Sequence, residues 1–195
     1  MKNLLNTIFN LLKKFFSKSN SENPSSIAEL PEINLAFADL ANMLTMEKQN
    51  PIPNIEFFDH LNMDYSIESI KHIDEYLLSI GNYNLELDNK IIPVVVRTAA
   101  YVGESIRKND HMKKWYWIDF ETAKQKEPHF FNDIENSLEF AAILTDGNSQ
   151  AFPLNKVIKF LQNGKEDSLY FFAMTMLSFD EPTPNDPVSS HLPLS

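Results

Sequence analysis

The chain contains no cysteine and only four glycines among its 195 residues. Without cysteine there is no disulfide framework, no thiol nucleophile and no thiolate metal site. Four scattered glycines also exclude a P-loop and the G-x-G-x-x-G dinucleotide motif, because each motif needs several glycines in one short loop. The lack of cysteine agrees with a reducing compartment, so we expect the protein to be cytoplasmic.

Basic residues are scarce as well, since 17 lysines and arginines stand against 27 acidic residues and the net charge is −10. Binding to nucleic acid requires a basic face that neutralises phosphates, so we expect no nucleic-acid partner. No apolar run reaches the roughly 20 residues that span a bilayer. The positive charge is unevenly placed: residues 1–21 hold four lysines and no acid, so the rest of the chain carries −14.

Motifs that indicate catalysis or metal binding are missing from the sequence. There is no G-x-S-x-G nucleophile motif and no H-E-x-x-H zinc motif. Two histidines follow an aspartate directly, but adjacent side chains rarely converge on one ion, and acidic pairs in an acidic protein are usually solvated. We therefore predict a protein that is not an enzyme and has no cofactor or metal. The histidines are His60, His72, His111, His129 and His191.

The hydrophobic fraction of 43%, with 15 phenylalanines, predicts a packed core rather than a disordered chain. Apolar periodicity predicts an α+β domain over residues 30–179, with N-terminal helices, a short antiparallel sheet and two closing C-terminal helices. Residues 121–137 are expected to be irregular, and the Pro- and Ser-rich residues 180–195 to form a disordered tail. The predicted helices cover residues 31–48, 65–80 with an N-cap at Ser66, 93–108, 154–162 and 166–177, and the apolar composition of the last one predicts packing on two sides. The predicted strands cover residues 115–120, 138–144 and 149–152, and the sequence Thr145-Asp146-Gly147-Asn148 predicts a hairpin turn between the last two.

Residues 93–108, with the sequence PVVVRTAAYVGESIRK, are predicted to form the central buried helix. A glycine within a helix costs about 1 kcal/mol relative to alanine, and close approach of a neighbouring element usually compensates for it. Gly103 therefore predicts such an approach. Glu104 has two interpretations: an ordinary surface ion pair with Arg107 or Lys108, or a partly buried carboxylate that anchors a loop or ligand.

Residues 1–18 form a predicted basic amphipathic helix, joined to the domain by a polar linker over residues 19–29. Its apolar stripe includes Leu5, Phe9, Leu12 and Phe16, while Lys13 and Lys14 lie largely on the other side. The stripe lacks charge, so it must be covered. Three interpretations remain open: contact with an anionic membrane or a partner, docking on its own domain, or cleavage as a signal peptide.

The run Trp115-Tyr116-Trp117 predicts a strand with two indoles on one face and a tyrosine on the other. Tryptophan and tyrosine are favoured anchors at protein interfaces, although a half-buried strand uses the same residues for its core. We take Tyr101, Glu104, Trp115 and Trp117 as candidate partner-binding residues.

Four segments together resemble a bacterial family of uncharacterised α+β domains, some of which resemble immunity or accessory proteins of toxin loci. The resemblance covers roughly residues 60–177 and omits the basic N-terminal helix. It implies a small cytoplasmic interaction protein and supplies no catalytic residues. The segments are residues 65–70 (YSIESI) with 74–77 (DEYL), residues 100–107 (AYVGESIR), Trp115, and residues 152–157 (FPLNKV) with 163–169 (NGKEDSL).

The sequence thus favours a bacterial protein-interaction module, of the immunity type, that binds a protein partner through an acidic surface bearing aromatic residues. The acidic body suits a basic partner because opposite charge steers association. The alternative is a peripheral membrane protein attached through its N-terminal amphipathic helix.

Overall fold

The computed structural model describes residues 31–81 and 91–178. The predicted N-terminal helix, linker and C-terminal tail lie outside these residues. The α+β prediction is confirmed: helices surround a three-stranded antiparallel sheet with strand order β1-β2-β3. The helices are α1 (Pro31–Met46), α2 (Ile70–Ser79), α3 (Ile91–Asn109), α4 (Phe120–Lys126), α5 (Pro128–Phe131), α6 (Pro153–Asn163) and α7 (Leu169–Ser178), and the strands β1 (Tyr116–Asp119), β2 (Ala142–Thr145) and β3 (Gln150–Ala151). None of the helices described is long and apolar enough to cross a membrane.

Helix α3 is the centre of the fold, as predicted. It contacts α1, α2, α6 and α7, and its residues from Val94 to Ile106 are all buried. The helix begins at Ile91, two residues before the predicted start, so the β-branched run there is helical rather than a strand. Contacts with several neighbouring helices outweigh the weak strand preference of this run.

Helix α2 is shorter than predicted. It begins at Ile70 with Ser69 at the N-cap position, so the predicted start at Tyr65 and the predicted cap at Ser66 are both wrong. Tyr65 has a φ of 65° and cannot continue a right-handed helix. Residues 66–69 instead form turns, in which the Ser66 hydroxyl oxygen accepts a hydrogen bond from the amide of Ser69 at 3.2 Å.

The sheet lies between two hydrophobic clusters. Trp117 belongs to the main core with α1 and α3, whereas Ile118, the next residue on β1, packs with Phe120 and Phe131 from α4 and α5. Residues 121–137 were predicted to be irregular, which is wrong for the two short helices α4 and α5. The sequence feature that marks the start of α4 is the N-cap residue Asp119, whose carboxylate accepts a hydrogen bond from the Thr122 amide at 2.7 Å.

Strands β2 and β3 form the predicted hairpin around Gly147, whose φ of 97° is favourable only for glycine. The predicted strand over residues 138–144 is correct only in its second part. Residues Leu138–Phe140 form a 3-10 helix, and the strand runs from Ala142 to Thr145. In this 3-10 helix the amides of Phe140 and Ala141 donate to the carbonyl oxygens of Ser137 and Leu138, before β2 begins.

Helix α7 carries no charged residue, yet most of it is not buried. Only Leu169 and Ala173 are fully covered, while Phe171 is 72% exposed and Met174 is 40% exposed. The prediction that this helix packs on two sides is therefore wrong for the fold described. Its inner side contacts α2, α3 and α6, and we call the other side, formed by Phe171 and Met174, the α7 outer face.

Asp74 of α2 holds the start of α7. Its carboxylate accepts hydrogen bonds from the Ser168 hydroxyl at 2.6 Å and from the Leu169 amide at 2.9 Å. Burial raises the pKa of Asp74 above its usual value, and the bonds from Ser168 and Leu169 only partly oppose this effect. The raised pKa means that the folded state binds a proton more readily than the unfolded state at this residue.

Asp74→Asn should therefore change how stability depends on pH. A raised folded-state pKa gives stability that is full below the unfolded-state pKa of about 3.9 and is lost as pH rises through the folded-state pKa. The free energy of unfolding of wild type minus that of Asp74→Asn should thus fall as the pH rises through the raised folded-state pKa. Urea unfolding at several pH values measures this difference. Glu75→Gln, which removes an exposed carboxylate from the same helix, serves as the control for loss of one negative charge. A difference that rises with pH would contradict the assignment.

Candidate functional site

The structure brings the four predicted binding residues together around the second half of α3. Glu104 Oε1 accepts hydrogen bonds from Trp117 Nε1 at 2.9 Å and from Arg107 Nη1 at 2.7 Å. Arg107 Nε donates to the main-chain oxygen of Trp115 at 3.0 Å. Tyr101 lies just less than one turn before Glu104 on the same helix.

All four of these side chains are buried, with exposures of 1% for Tyr101, 4% for Glu104, 3% for Trp115 and 0% for Trp117. This burial leaves little of these side chains for direct contact with a docking protein, and their role in binding a partner stays a prediction. The aromatic rings of Trp115 and Trp117 complete the core. Glu104 combines parts of its two interpretations, since its carboxylate is buried and it also forms the ion pair with Arg107, whose side chain is 23% exposed.

Gly103 explains why Trp117 lies so close to α3. A Cβ atom at Gly103 would overlap Cζ2 and Cη2 of the Trp117 indole, so the ring packs directly on the helix backbone. The other side of the indole stacks on Phe37 of α1, with 4.0 Å between ring centroids. The Trp117 amide donates to Asn34 Oδ1 at 2.9 Å. The close approach that the mid-helix glycine predicted is thereby confirmed.

Tyr65, which packs on α3, adopts a left-handed backbone that is rare for a bulky residue. Its ring stacks on Tyr101 with 4.6 Å between centroids, and Lys108 Nζ lies 3.2 Å from the ring centroid. Its amide donates to the Tyr101 hydroxyl at 3.0 Å, its carbonyl accepts from Asn109 Nδ2 at 2.8 Å, and its hydroxyl donates to Asn42 Oδ1 at 2.6 Å. Burial, with smaller effects of Tyr101 and Glu104, raises the pKa of Tyr65 to about 12.

Sequence reasoning missed Tyr65, because its neighbours suggested the first turn of a helix. No local signal marks this position as left-handed, since glycine and asparagine are the residues that usually take this conformation. The strain is held by contacts from residues 36 to 44 positions further along the chain. The hydrogen bonds of Tyr65 link the loop before α2 to α3 and to α1.

A cleft of about 560 Å³ lies where α3 ends and the chain turns towards β1. Its two carboxylates are engaged internally, Glu104 as described above and Asp110 with Trp115 Nε1 at 2.7 Å. Burial alone would raise the pKa of Asp110, but hydrogen bonds from Trp115 and from the amides of Lys113 and Met112 outweigh it and lower the pKa. The lining residues are Glu104, Arg107, Lys108, Asp110, His111, Met112, Lys113, Lys114 and Trp115.

This cleft has a cationic rim, formed by Arg107 and three lysines. No serine, threonine or cysteine lines it, and both carboxylates accept hydrogen bonds from buried indoles. The cations also lie at the C-terminal end of α3, where positive charge stabilises the helix dipole. Among residues 31–81 and 91–178, no group of three or more His, Asp or Glu residues is placed to hold a metal ion.

Helix α1 presents a different surface, which we call the α1 stripe. Its exposed positions recur at helical spacing and combine acidic with large apolar side chains: Glu32, Leu35, Asp39, Asn42 and Met46. Leu35 is 67% exposed and Met46 is 72% exposed. A shallow groove of about 640 Å³ runs beside the stripe from Asp39 to Gln49.

Acidic charge is concentrated in the part of the fold that contains the α1 stripe. Over residues 31–81, seven acidic side chains are exposed, against two exposed lysines. The seven are Glu32, Asp39, Glu56, Asp59, Asp64, Glu68 and Glu75. An acidic surface that also exposes leucine and methionine is suited to binding a basic protein surface.

The chain matches no known family model, no curated protein and no solved structure. The case for a function therefore depends on the charge and exposure of its own residues.

Proposed function

We propose that this protein is a non-enzymatic interaction module of the immunity type, which binds and blocks a basic protein partner in the cytoplasm. The α1 stripe is the binding surface. The observation that supports this proposal is the pairing of exposed Leu35 and Met46 with acidic side chains on one helix face. This surface replaces the aromatic one predicted from the sequence, since Trp115 and Trp117 are buried.

The two kinds of side chain on the α1 stripe have separate roles. Acidic residues such as Glu32 and Asp39 steer a basic partner and accelerate association by about 10-fold to 1000-fold at low salt. Leu35 and Met46 slow dissociation because they are desolvated in the complex, each by roughly 1.5–3 kcal/mol if fully covered. Such a surface blocks its partner by occlusion and requires no reaction.

The first experiment is affinity capture of the full-length protein from its native host, with identification of bound proteins by mass spectrometry. We expect a basic protein in stoichiometric amount. The double variant Leu35→Ser/Asp39→Lys should slow association with this protein by about 10-fold or more at low salt, because it reverses a steering charge. It should also speed dissociation, because it removes an apolar contact. Surface plasmon resonance measures the rates.

A matched control changes another part of the surface in the same way. Phe130→Ser/Glu127→Lys also removes one exposed apolar side chain and reverses one exposed acid, but on α5 and at the residue before it. We expect binding close to wild type. Equal losses in both variants would mean that only the net charge matters, and loss in the control alone would place the interface elsewhere.

The amphipathic pattern of residues 1–18 favours a second candidate function, attachment to an anionic membrane surface. Leu5, Phe9, Leu12 and Phe16 would insert among the acyl chains, while Lys13 and Lys14 contact headgroups. Full-length protein should then sediment with anionic phospholipid vesicles, and less so as salt increases. Absence of sedimentation at low salt would exclude this candidate.

A further inference from the structure

The acids of the α1 stripe have no partner of their own. Within the described part of the chain, neither Glu32 nor Asp39 forms an ion pair or a hydrogen bond. Glu32 lies in the first turn of α1, where an acid also stabilises the helix dipole. Asp39 lies in the middle of the helix and has no such role. Together with exposed Leu35 and Met46, it gives the stripe a chemistry that the fold itself does not require.

We propose that the occupant of the α1 stripe is a basic amphipathic α-helix of the partner, packed side by side with α1. This inference rests on the proposed function and adds the secondary structure and residue pattern of the partner segment. Lysine or arginine side chains of that helix face Glu32 and Asp39, and aliphatic side chains face Leu35 and Met46. The stripe extends about 21 Å along the axis of α1, so the contact covers about four turns.

The spacing of the stripe selects a helix rather than an extended peptide. Its five positions recur every three or four residues, on average about 5.3 Å apart along the axis. A second helix repeats its contact positions at the same interval, so the two sets of side chains stay in step. Side chains on one face of a strand repeat about every 6.6–6.8 Å, and over four intervals the difference grows to about 5–6 Å, a whole position.

The charge of the stripe disfavours a second copy of this chain as its occupant. A twofold dimer brings the same patch of both copies together. The five positions are symmetric about Asp39, so antiparallel pairing of two α1 helices places the two Asp39 side chains opposite each other. Parallel pairing does the same and also opposes the two Glu32 side chains. Like charges placed in this way repel, whereas a basic helix gives both acids a partner.

The groove beside the stripe also places the partner's cations towards the N-terminal half of α1. Among the residues that line the groove, Lys48 is the one cation, and Glu47 directly precedes it. Amides of Gln49 and Asn50 donate to the Glu47 carboxylate at 2.6 and 3.2 Å and lower its pKa, so this acid is ionised and offsets Lys48. The remaining charge of the groove is that of Asp39.

Asn42 gives the contact a fixed register. Its Oδ1 accepts a hydrogen bond from the Tyr65 hydroxyl at 2.6 Å, while its Nδ2 donates to no acceptor within the described part of the chain. Lys108 lies over the Tyr65 ring, so a further cation is unfavourable at this level. A polar residue within a helix seam selects the register in which its hydrogen bonds are made. We expect an acceptor side chain, such as glutamine, opposite Asn42.

A peptide library tests the proposal on the full-length protein. Random peptides of about 16 residues, enough for four helical turns, are displayed on phage and selected at low salt, and those that also bind Leu35→Ser/Asp39→Lys are removed. We expect the remaining peptides to be basic and to repeat apolar residues every three or four positions. The matched control Phe130→Ser/Glu127→Lys should still bind them. Alternation at every second position, no basic excess, or no peptide that depends on the stripe would overturn the proposal.

A titration with the most enriched peptide locates the contact. By ¹³C NMR of methionine methyl groups, the signals of Met43 and Met46 should shift, while that of Met112, which is 80% exposed elsewhere, should not. A proline in the middle of the peptide should weaken binding about 10-fold or more, because it breaks a helix. Unshifted Met43 and Met46 signals, or undiminished binding of the proline peptide, would refute a helix on α1.

A charge exchange tests the pairing with Asp39. Asp39→Lys should weaken the basic peptide about 10-fold or more, and a peptide with glutamate in place of its basic residues should bind this variant better than it binds wild type. Equal binding of the glutamate peptide to both proteins would contradict the pairing.

Failure of this inference is distinguishable from failure of the proposed function. Cross-linking of the partner captured from the host shows which of its segments meets α1. A basic partner that meets the stripe through a loop or strand would keep the proposed function and refute the helical occupant. Capture without any basic partner would refute the proposed function. A wild-type dimer that dissociates in Leu35→Ser/Asp39→Lys, measured by sedimentation velocity, would identify a second copy as the occupant and overturn this inference.

Discussion

Gly103→Ala will destabilise the protein by about 2 kcal/mol, although alanine is the better helix former. The new methyl group overlaps the Trp117 indole, which is fully buried and stacked on Phe37. Overpacking of this kind costs roughly 1–3 kcal/mol, occasionally more, and we expect the upper end because the rigid ring has no free space. Helix propensity returns about 1 kcal/mol. Urea unfolding followed by tryptophan fluorescence measures the loss.

A double-mutant cycle tests the cause of this loss. Trp117→Phe shortens the ring that meets the new methyl group, so it should be less costly in the Gly103→Ala background than in wild type. The single variant Trp117→Phe also loses the hydrogen bond to Glu104, and the cycle subtracts this shared effect. Additive losses would mean that Gly103 is required for another reason than the approach of Trp117.

Glu104→Ala should destabilise the protein still more, by about 3–5 kcal/mol, because it breaks a buried ion pair and leaves its partner uncompensated. The Arg107 side chain is only 23% exposed, and the indole N–H of Trp117 also loses its acceptor. Glu104→Gln retains an oxygen acceptor for Trp117 and should lose less than Glu104→Ala. Chemical unfolding of wild type, Glu104→Gln and Glu104→Ala measures the free energy of unfolding of each and ranks them.

The control for this series is Glu75→Ala, since the Glu75 carboxylate is 66% exposed. An exposed pair contributes between about 0 and 1 kcal/mol, so this variant should remain close to wild type. If Glu104→Ala also proved nearly neutral, the network of Glu104, Arg107 and Trp117 would not be the anchor that its geometry indicates.

The central helix was the most predictable part of the fold. Apolar periodicity over residues 93–108 and a glycine within the helix predicted a buried element approached closely by a neighbour, and Trp117 is that neighbour. The predicted hairpin around Gly147 also formed, because its turn residues favour a single backbone geometry. In both places a local preference and the tertiary packing agree.

The candidate site was less predictable, because exposure depends on the arrangement of distant segments. A strand with Trp115, Tyr116 and Trp117 has the same sequence pattern whether its indoles contact a partner or the chain's own helices. In this fold Phe37 of α1 stacks on Trp117, so this indole belongs to the core. Tyr65 was wrongly assigned to a helix, because the contacts that hold its left-handed backbone come from residues distant in sequence. Helix α7 shows the reverse case, since its apolar composition predicted burial while Phe171 remains exposed.

The hydrogen bond between Asn34 and the Trp117 amide limits how other chains can bind. Within the described residues, β1 pairs with β2 alone, so its other edge is where an added strand would have to join. A helix side chain already takes up the amide of Trp117 on that edge, and α1 lies against the strand. Donor-strand recognition, in which a guest peptide lengthens a sheet, is therefore blocked at this edge, as is edge-to-edge aggregation.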